Sequence, residues 1–129
     1  MTPGRQILIV DDEPILLKML SVYLGRLGYA VLAVNNTEKA WMAVEQAPRG
    51  FAVAVLDATL KGIAMEDLAQ RMLTADPRLC VIAVSGYPVD ITGLQSSAPG
   101  RVMFLHKPFT AEMLGNAVRR MLATQEADV

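Results

Sequence analysis

Hydrophobic residues in this chain fall into short unbroken runs, separated by stretches where they recur every third or fourth position. The first run, Ile7-Leu8-Ile9-Val10, is mostly β-branched and is ended at once by Asp11-Asp12-Glu13. A strand buried on both faces has this character, because neither of its sides meets water. Ala30 to Val34, Phe51 to Leu56, Leu79 to Val84 and Val102 to Leu105 repeat the pattern. Between the runs the spacing predicts helices. Pro14 suits a first helical turn, and Ile15, Leu16, Met19, Leu20, Tyr23, Leu24 and Leu27 follow at helical intervals until Gly28. Asn35-Asn36-Thr37 supplies a turn with Thr37 as the expected cap of a helix that turns Ala40, Trp41, Val44 and Ala47 inward, and Pro48 and Gly50 stop it. A third helix carries Leu68, Ala69, Met72 and Leu73 and closes at Asp76-Pro77. Tyr87 to Gly100 holds two prolines and two glycines, with only Val89, Ile91 and Leu94 as anchors, so a short, weakly held helix is expected. Thr110 caps the last helix, whose predicted buried face is Met113, Leu114, Ala117, Val118, Met121 and Leu122.

Five strands alternating with five helical patterns, without an internal repeat or long linker, imply an α/β domain: a parallel sheet covered on both faces through right-handed crossovers. One domain over residues 1–129 is expected, with a core from about 6 to 123 and a flexible tail over 124–129. A hydrophobic content of 53% supports a packed core, and the formal net charge of -1 with no basic cluster gives no footprint for nucleic acid or an anionic membrane. Proteins or small molecules are the expected partners. The single cysteine, Cys80, excludes an intramolecular disulfide and is read as a buried, inert thiol. The first residues lack the apolar region of a signal peptide and no apolar run is long enough to span a membrane, so a soluble cytoplasmic domain without membrane insertion is expected. Most of the eight methionines fall on inward helical faces and, with Trp41, read as core, and His106 reads as exposed.

Polar residues at the strand ends bring in chemistry. Asp11 and Asp12 follow the first strand, Asp57 the third, Ser85 the fourth and Lys107 the fifth. In a parallel sheet these positions share one edge, where open α/β sheets place their sites. Each also has a plainer reading: Asp11-Asp12 as a solvated turn before a helix, Ser85-Gly86 as an ordinary turn, Lys107 as a solvated strand end and Phe104 as core. Taken together, clustered carboxylates suit Mg²⁺ or a similar hard cation. Asp57 is placed to attack phosphorus and hold the group as an acyl phosphate, Lys107 supplies fixed positive charge, and the Ser85 hydroxyl can bond a phosphoryl oxygen only when one is present.

From Ile7 to about Leu122 the chain resembles the response-regulator receiver domains of two-component signalling, on the strength of Asp11-Asp12, Asp57, Ser85-Gly86 and Lys107-Pro108-Phe109 in that order. The resemblance implies a flavodoxin-like, doubly wound sheet of strand order 2-1-3-4-5. It implies Asp57 as phosphoacceptor, and Asp12, Asp57 and the Thr59 backbone carbonyl as direct Mg²⁺ ligands with Asp11 acting through water. Lys107 would pair with Asp57 or the phosphoryl group ahead of a cis Pro108, Ser85 and Phe104 would switch, and Tyr87 with Thr59 would modulate the lifetime of the phosphoryl group. The donor would be a phosphohistidine on a histidine kinase or phosphotransfer protein. The chain would catalyse its own phosphorylation and dephosphorylation without being a conventional turnover enzyme, and homodimerisation is left open. Phosphorylation would change a surface made of the Tyr87 to Gly100 segment and the last helix. The chain would be either a stand-alone receiver or a piece of a longer regulator or hybrid kinase.

Some positions depart from the family: Lys61 stands where proline is usual, Ala64-Met65 where Asp-Gly or Asn-Gly is usual, and Phe104 where tyrosine is commoner. Three other readings compete. An aspartyl phosphatase of the haloacid dehalogenase type wants an acid at Thr59, and a flavin or nucleotide binder wants a phosphate cradle where Asp11-Asp12-Glu13 stands. A receiver-like interaction module that no longer accepts phosphate is the alternative that the altered loop keeps open.

Overall fold

Where the apolar runs end, the sheet ends, and the charged residues that follow them form its rim. A computed structural model describes residues 5–127. Among these, β1 (Gln6–Val10), β2 (Val31–Val34), β3 (Phe51–Asp57), β4 (Cys80–Ser85) and β5 (Val102–His106) alternate with α1 (Pro14–Arg26), α2 (Thr37–Gln46), α3 (Met65–Ala75), α4 (Thr92–Ser97) and α5 (Ala111–Ala127). Every strand pairing is parallel and the order is β2-β1-β3-β4-β5, as the resemblance implies.

Side chains leave a strand on alternate faces, which divides the core in two. Ile7, Ile9, Val53, Val55, Ile82 and Val84 pack with Leu20 and Leu24 of α1 and with Leu114, Ala117 and Val118 of α5. Leu8, Val10, Ala54, Leu56, Val81 and Ala83 pack with α2, α3 and α4 through Ala40, Val44, Leu68, Met72 and Leu94. Burying each such Val, Leu or Ile stabilises the fold by about 1.5–3 kcal/mol relative to leaving it in water; the central strands β1, β3 and β4 are buried almost throughout, whereas the edge strands β2 and β5, equally apolar in sequence, are only partly covered. At the opposite rim, buried Asp76 accepts hydrogen bonds from Arg5 and from the Arg78 N–H, while Arg101 donates to the Leu73, Asp76 and Leu79 carbonyls.

Several expectations need correction. Asn36, not Thr37, caps α2: its backbone is extended and its Oδ1 accepts the Lys39 N–H at 2.8 Å. Thr37 is the first helical residue, and its buried hydroxyl is used elsewhere. Replacing Asn36 by Ala is expected to lower stability by about 1 kcal/mol; a urea midpoint equal to that of the parent would show that the cap contributes nothing.

The apolar stripes are wider than the buried ones. Ile15 is 84% exposed, and Met19, Leu27 and Met113 lie at the surface with Ala47. Trp41 is only partly buried, with the Arg71 guanidinium 5.8 Å from its ring centroid. The short α4 is as predicted, whereas α5 continues to Ala127, past the start of the expected tail; residues 128–129 lie outside the described residues.

Candidate functional site

Backbone hydrogen bonds carry the ladder one step beyond the strands. Asp11 N–H donates to the Val34 carbonyl at 3.2 Å, Ala58 N–H to Val84 at 2.8 Å and Lys107 N–H to Ser85 at 2.8 Å, so the first residue of each loop is held as firmly as the strand before it. A common local device then aims the side chains. Asp11 Oδ1 accepts the Glu13 N–H at 3.0 Å, Asp57 Oδ1 the Thr59 N–H at 2.9 Å and Ser85 Oγ the Tyr87 N–H at 3.0 Å. In each case a side chain takes the amide two residues on, which fixes its orientation without any distant partner.

Alternation decides which groups meet. Asp11 continues the series Ile7, Ile9; Asp57 continues Val53, Val55; Lys107 continues Met103, Leu105, all on the α1 and α5 side. Lys107 Nζ lies 2.9 Å from Asp11 Oδ2 and 3.0 Å from Asp57 Oδ2, with Glu13 Oε1 at 3.6 Å. Asp57 is thus an ion-pair partner of Lys107. The bond to Asp11 was missed, because two adjacent acids look alike in sequence, although the period-two pattern separates them. The peptide bond to Pro108 is cis.

Asp11 and Asp57 are buried and Asp12 is exposed, yet one oxygen from each lies within 4.8 Å of the others. Burial raises the Asp11 carboxyl above its ordinary 3.8, and the nearby Asp57 charge adds to this beyond what Lys107 and the Glu13 amide offset. Burial also pushes Asp57 upward, but hydrogen bonds from the Thr59 N–H, the Thr59 hydroxyl and Lys107 outweigh it and hold Asp57 below 3.8. Lys107 loses hydration, which favours its neutral form, but the two carboxylates hold its ammonium well above the ordinary lysine range. Asp57 is therefore anionic at neutral pH.

The donor set suits a small hard cation. Oxygens around an octahedral ion with metal–oxygen distances of about 2.1 Å are roughly 3–4 Å apart, and the three carboxylates bring one oxygen each within 4.8 Å of one another. Three carboxylates beside one ammonium also leave two negative charges for such an ion to balance. Thr59 enters the site in a way the sequence did not reveal: its hydroxyl donates to Asp57 Oδ1 at 2.8 Å.

Ser85 and Phe104 belong to the other face of the sheet, the side of α2, α3 and α4. Ser85 is buried, while Phe104 is half-buried and its ring lies nearly perpendicular to that of exposed His106, the centroids 6.1 Å apart. The Tyr87 side chain is 73% exposed. Beside Lys107, an open cleft of about 400 Å³ is lined by Glu13, Leu16, Gly86, Pro108 and Phe109. Among the described residues no helix is long and apolar enough to cross a membrane.

The response regulator receiver domain family model matches residues 7–119. The chain is 26% identical over 118 residues to the response regulator receiver protein CpdR of Brucella abortus, covering 92% of this chain and 97% of that protein. It is 31% identical over 128 residues to the DNA-binding response regulator MtrA of Mycolicibacterium smegmatis, covering 97% of this chain but 54% of that protein. Other curated relatives are also longer, and the chain spans from 13% to 52% of their lengths. A crystal structure of a response regulator receiver protein from Sinorhizobium medicae, 26% identical, superimposes with a TM-score of 0.80 over 95% of this chain and 98% of that one. With the family model spanning most of its length and the strand order to match, this chain belongs to the response regulator receiver domain family.

Proposed function

We propose that Asp57 accepts a phosphoryl group from a phosphohistidine partner in a Mg²⁺-dependent reaction. The observation that carries this reading is the bridging of Asp11 and Asp57 by one ammonium, at 2.9 and 3.0 Å, beside a third carboxylate. Transfer forms a bond from an Asp57 carboxylate oxygen to phosphorus as the bond from phosphorus to the donor's imidazole nitrogen breaks, and the electron pair leaves with the ring. Asp11, Asp12, Asp57 and the Thr59 carbonyl would hold the cation, Asp11 through water. When bound, Mg²⁺ supplies positive charge that offsets the carboxylates and draws the phosphoryl oxygens.

Lys107 needs no proton transfer to act. Once Asp57 becomes an acyl phosphate its carboxylate charge is gone, and the ammonium is free to pair with a phosphoryl oxygen. The Ser85 hydroxyl, which accepts the Tyr87 N–H, keeps its own proton to donate to the phosphoryl group. Such a bond would draw in the β4–α4 loop, with Phe104 following by packing, since a phenyl ring has no hydroxyl to bond. Leu16, Pro108 and Phe109 beside Lys107 would give the donor's ring apolar surface to approach along.

Incubation with a small phosphodonor tests the reading: the intact mass should show one phosphoryl group per chain with Mg²⁺ present and none with a chelator. No incorporation under either condition would favour an interaction module without phosphotransfer. Tyr87 is proposed to shield the acyl phosphate from water. Tyr87→Ala should therefore shorten the phosphoryl lifetime several-fold, on the order of 1 kcal/mol in barrier, and identical decay curves would remove Tyr87 from the mechanism.

A further inference from the structure

The seven residues between Asp57 and the first residue of α3, Met65, include Thr59, which holds Asp57, and they depart from the family pattern at Lys61 and Ala64. No proline stiffens the middle of this segment, so another restraint must define it. Its near end is fixed by the Ala58 N–H bond to Val84. Leu60 and Ile63 pack partly buried against the α2–α4 core. The remaining tie comes from Thr37, at the start of α2. Its hydroxyl oxygen accepts the Ile63 N–H at 2.9 Å and lies 3.3 Å from the Lys61 carbonyl and 3.0 Å from Glu38 Oε2. A hydroxyl has one proton and two lone pairs, so it accepts from Ile63 and donates to one of the other two.

Gly62 shows how closely the two segments meet. Its φ is +98°, and a Cβ there would lie 2.5 Å from Thr37 Oγ1 and 2.6 Å from Glu38 Oε2. Only glycine allows both the backbone conformation and the approach. Thr37 itself is 2% exposed, so water does not substitute for it.

We propose that the Thr37 hydroxyl is a positioning residue for the phosphoacceptor: by tying Ile63 and Lys61 to the start of α2, it sets the path of the loop and so the place of Thr59 against Asp57. The proposal rests on Asp57 being the phosphoacceptor. Both ends of a short segment are pinned, and Thr59 sits between them. Releasing the far end lets Thr59 drift from Asp57 and from the cation that its carbonyl would help to hold.

Thr37→Val keeps the side-chain shape and removes the hydroxyl; Thr37→Ser keeps the hydroxyl. Gly62→Ala breaks the same contact from an exposed loop position, and carries the test if Thr37→Val does not fold. In Thr37→Val and Gly62→Ala, the Ile63 and Thr59 amides should lose hydrogen-exchange protection. Mg²⁺ affinity and the phosphorylation rate should each fall about tenfold, as expected when a reacting group is displaced by a fraction of an ångström. Thr37→Ser should behave as the parent in all three measurements.

Unchanged Thr59 exchange with unchanged Mg²⁺ affinity in both disrupting variants would overturn the proposal. So would Thr37→Ser failing as badly as Thr37→Val, because shape rather than the hydroxyl would then be responsible. If the parent takes up no phosphoryl group, the phosphoacceptor reading fails, and the loop restraint is still judged by amide exchange and Mg²⁺ binding.

Discussion

Replacing Asp57 by Asn should reduce phosphoryl incorporation by more than about a thousandfold, because an amide oxygen is a poor nucleophile. The fold should survive. The Asn carbonyl can keep the Thr59 N–H and hydroxyl bonds that Asp57 Oδ1 now accepts, while its NH₂ faces the Lys107 ammonium where Oδ2 lies today. The variant should also lose stability at neutral pH. Asp57 titrates below 3.8 in the folded protein, so its ionised form stabilises the fold above the unfolded value, and that contribution disappears as pH falls through the folded one. The stability gap between parent and variant should therefore be open at pH 7 and close in strong acid. Incorporation by Asp57→Asn at the parental rate would move the phosphoacceptor elsewhere.

Lys107→Met should cost about 10²–10³-fold in phosphorylation rate, the usual penalty for removing a preorganised charge from a reacting oxygen. Its effect on stability has a distinctive pH dependence. In the parent the Lys107 pKa is raised by Asp11 and Asp57, so the associated stability is complete at neutral pH and is lost only in strong alkali. Without the ammonium, two buried carboxylates face each other. Asp11, already above 3.8 because of burial, should rise further, so that folding of the variant takes up a proton and its stability increases as pH falls from neutral into the acid range through the raised Asp11 value. Mg²⁺ should rescue the variant more than the parent, since the cation replaces the missing positive charge and binds only the folded form. Thermal melts at neutral and at acid pH, with and without Mg²⁺, check this. Melting curves that shift in parallel for parent and variant would mean that Lys107 does not govern the carboxylates.

The sheet was legible because a strand buried on both faces has to be apolar at every position, and Ile7 to Val10, Phe51 to Leu56 and Leu79 to Val84 satisfy that. Strand order was not: apolar runs carry no label for their neighbours, and the order 2-1-3-4-5 came through resemblance alone. The site acids and Lys107 were legible for a related reason, since charge directly after a buried run can only sit at the rim. Contacts between loops left no local trace. Thr37 carries the composition of a cap, and only the folded chain shows Asn36 capping while Thr37 turns to Ile63. Ile15, Met19 and Met113 obey helical spacing without being buried, because periodicity marks a face and says nothing of how far the neighbouring element covers it. The end of α5 at Ala127 was missed because polar residues near a terminus sustain a helix without an apolar stripe.

Borohydride reduces an acyl phosphate but leaves a free carboxylate intact, so treating the phosphorylated protein and sequencing its peptides by mass spectrometry locates the modified residue directly. Conversion of residue 57 to homoserine, dependent on Mg²⁺ and on prior exposure to the phosphodonor, is the result expected if Asp57 is the phosphoacceptor. Conversion at Asp11 or Asp12 instead, or phosphoryl incorporation with no reducible aspartate, would contradict it.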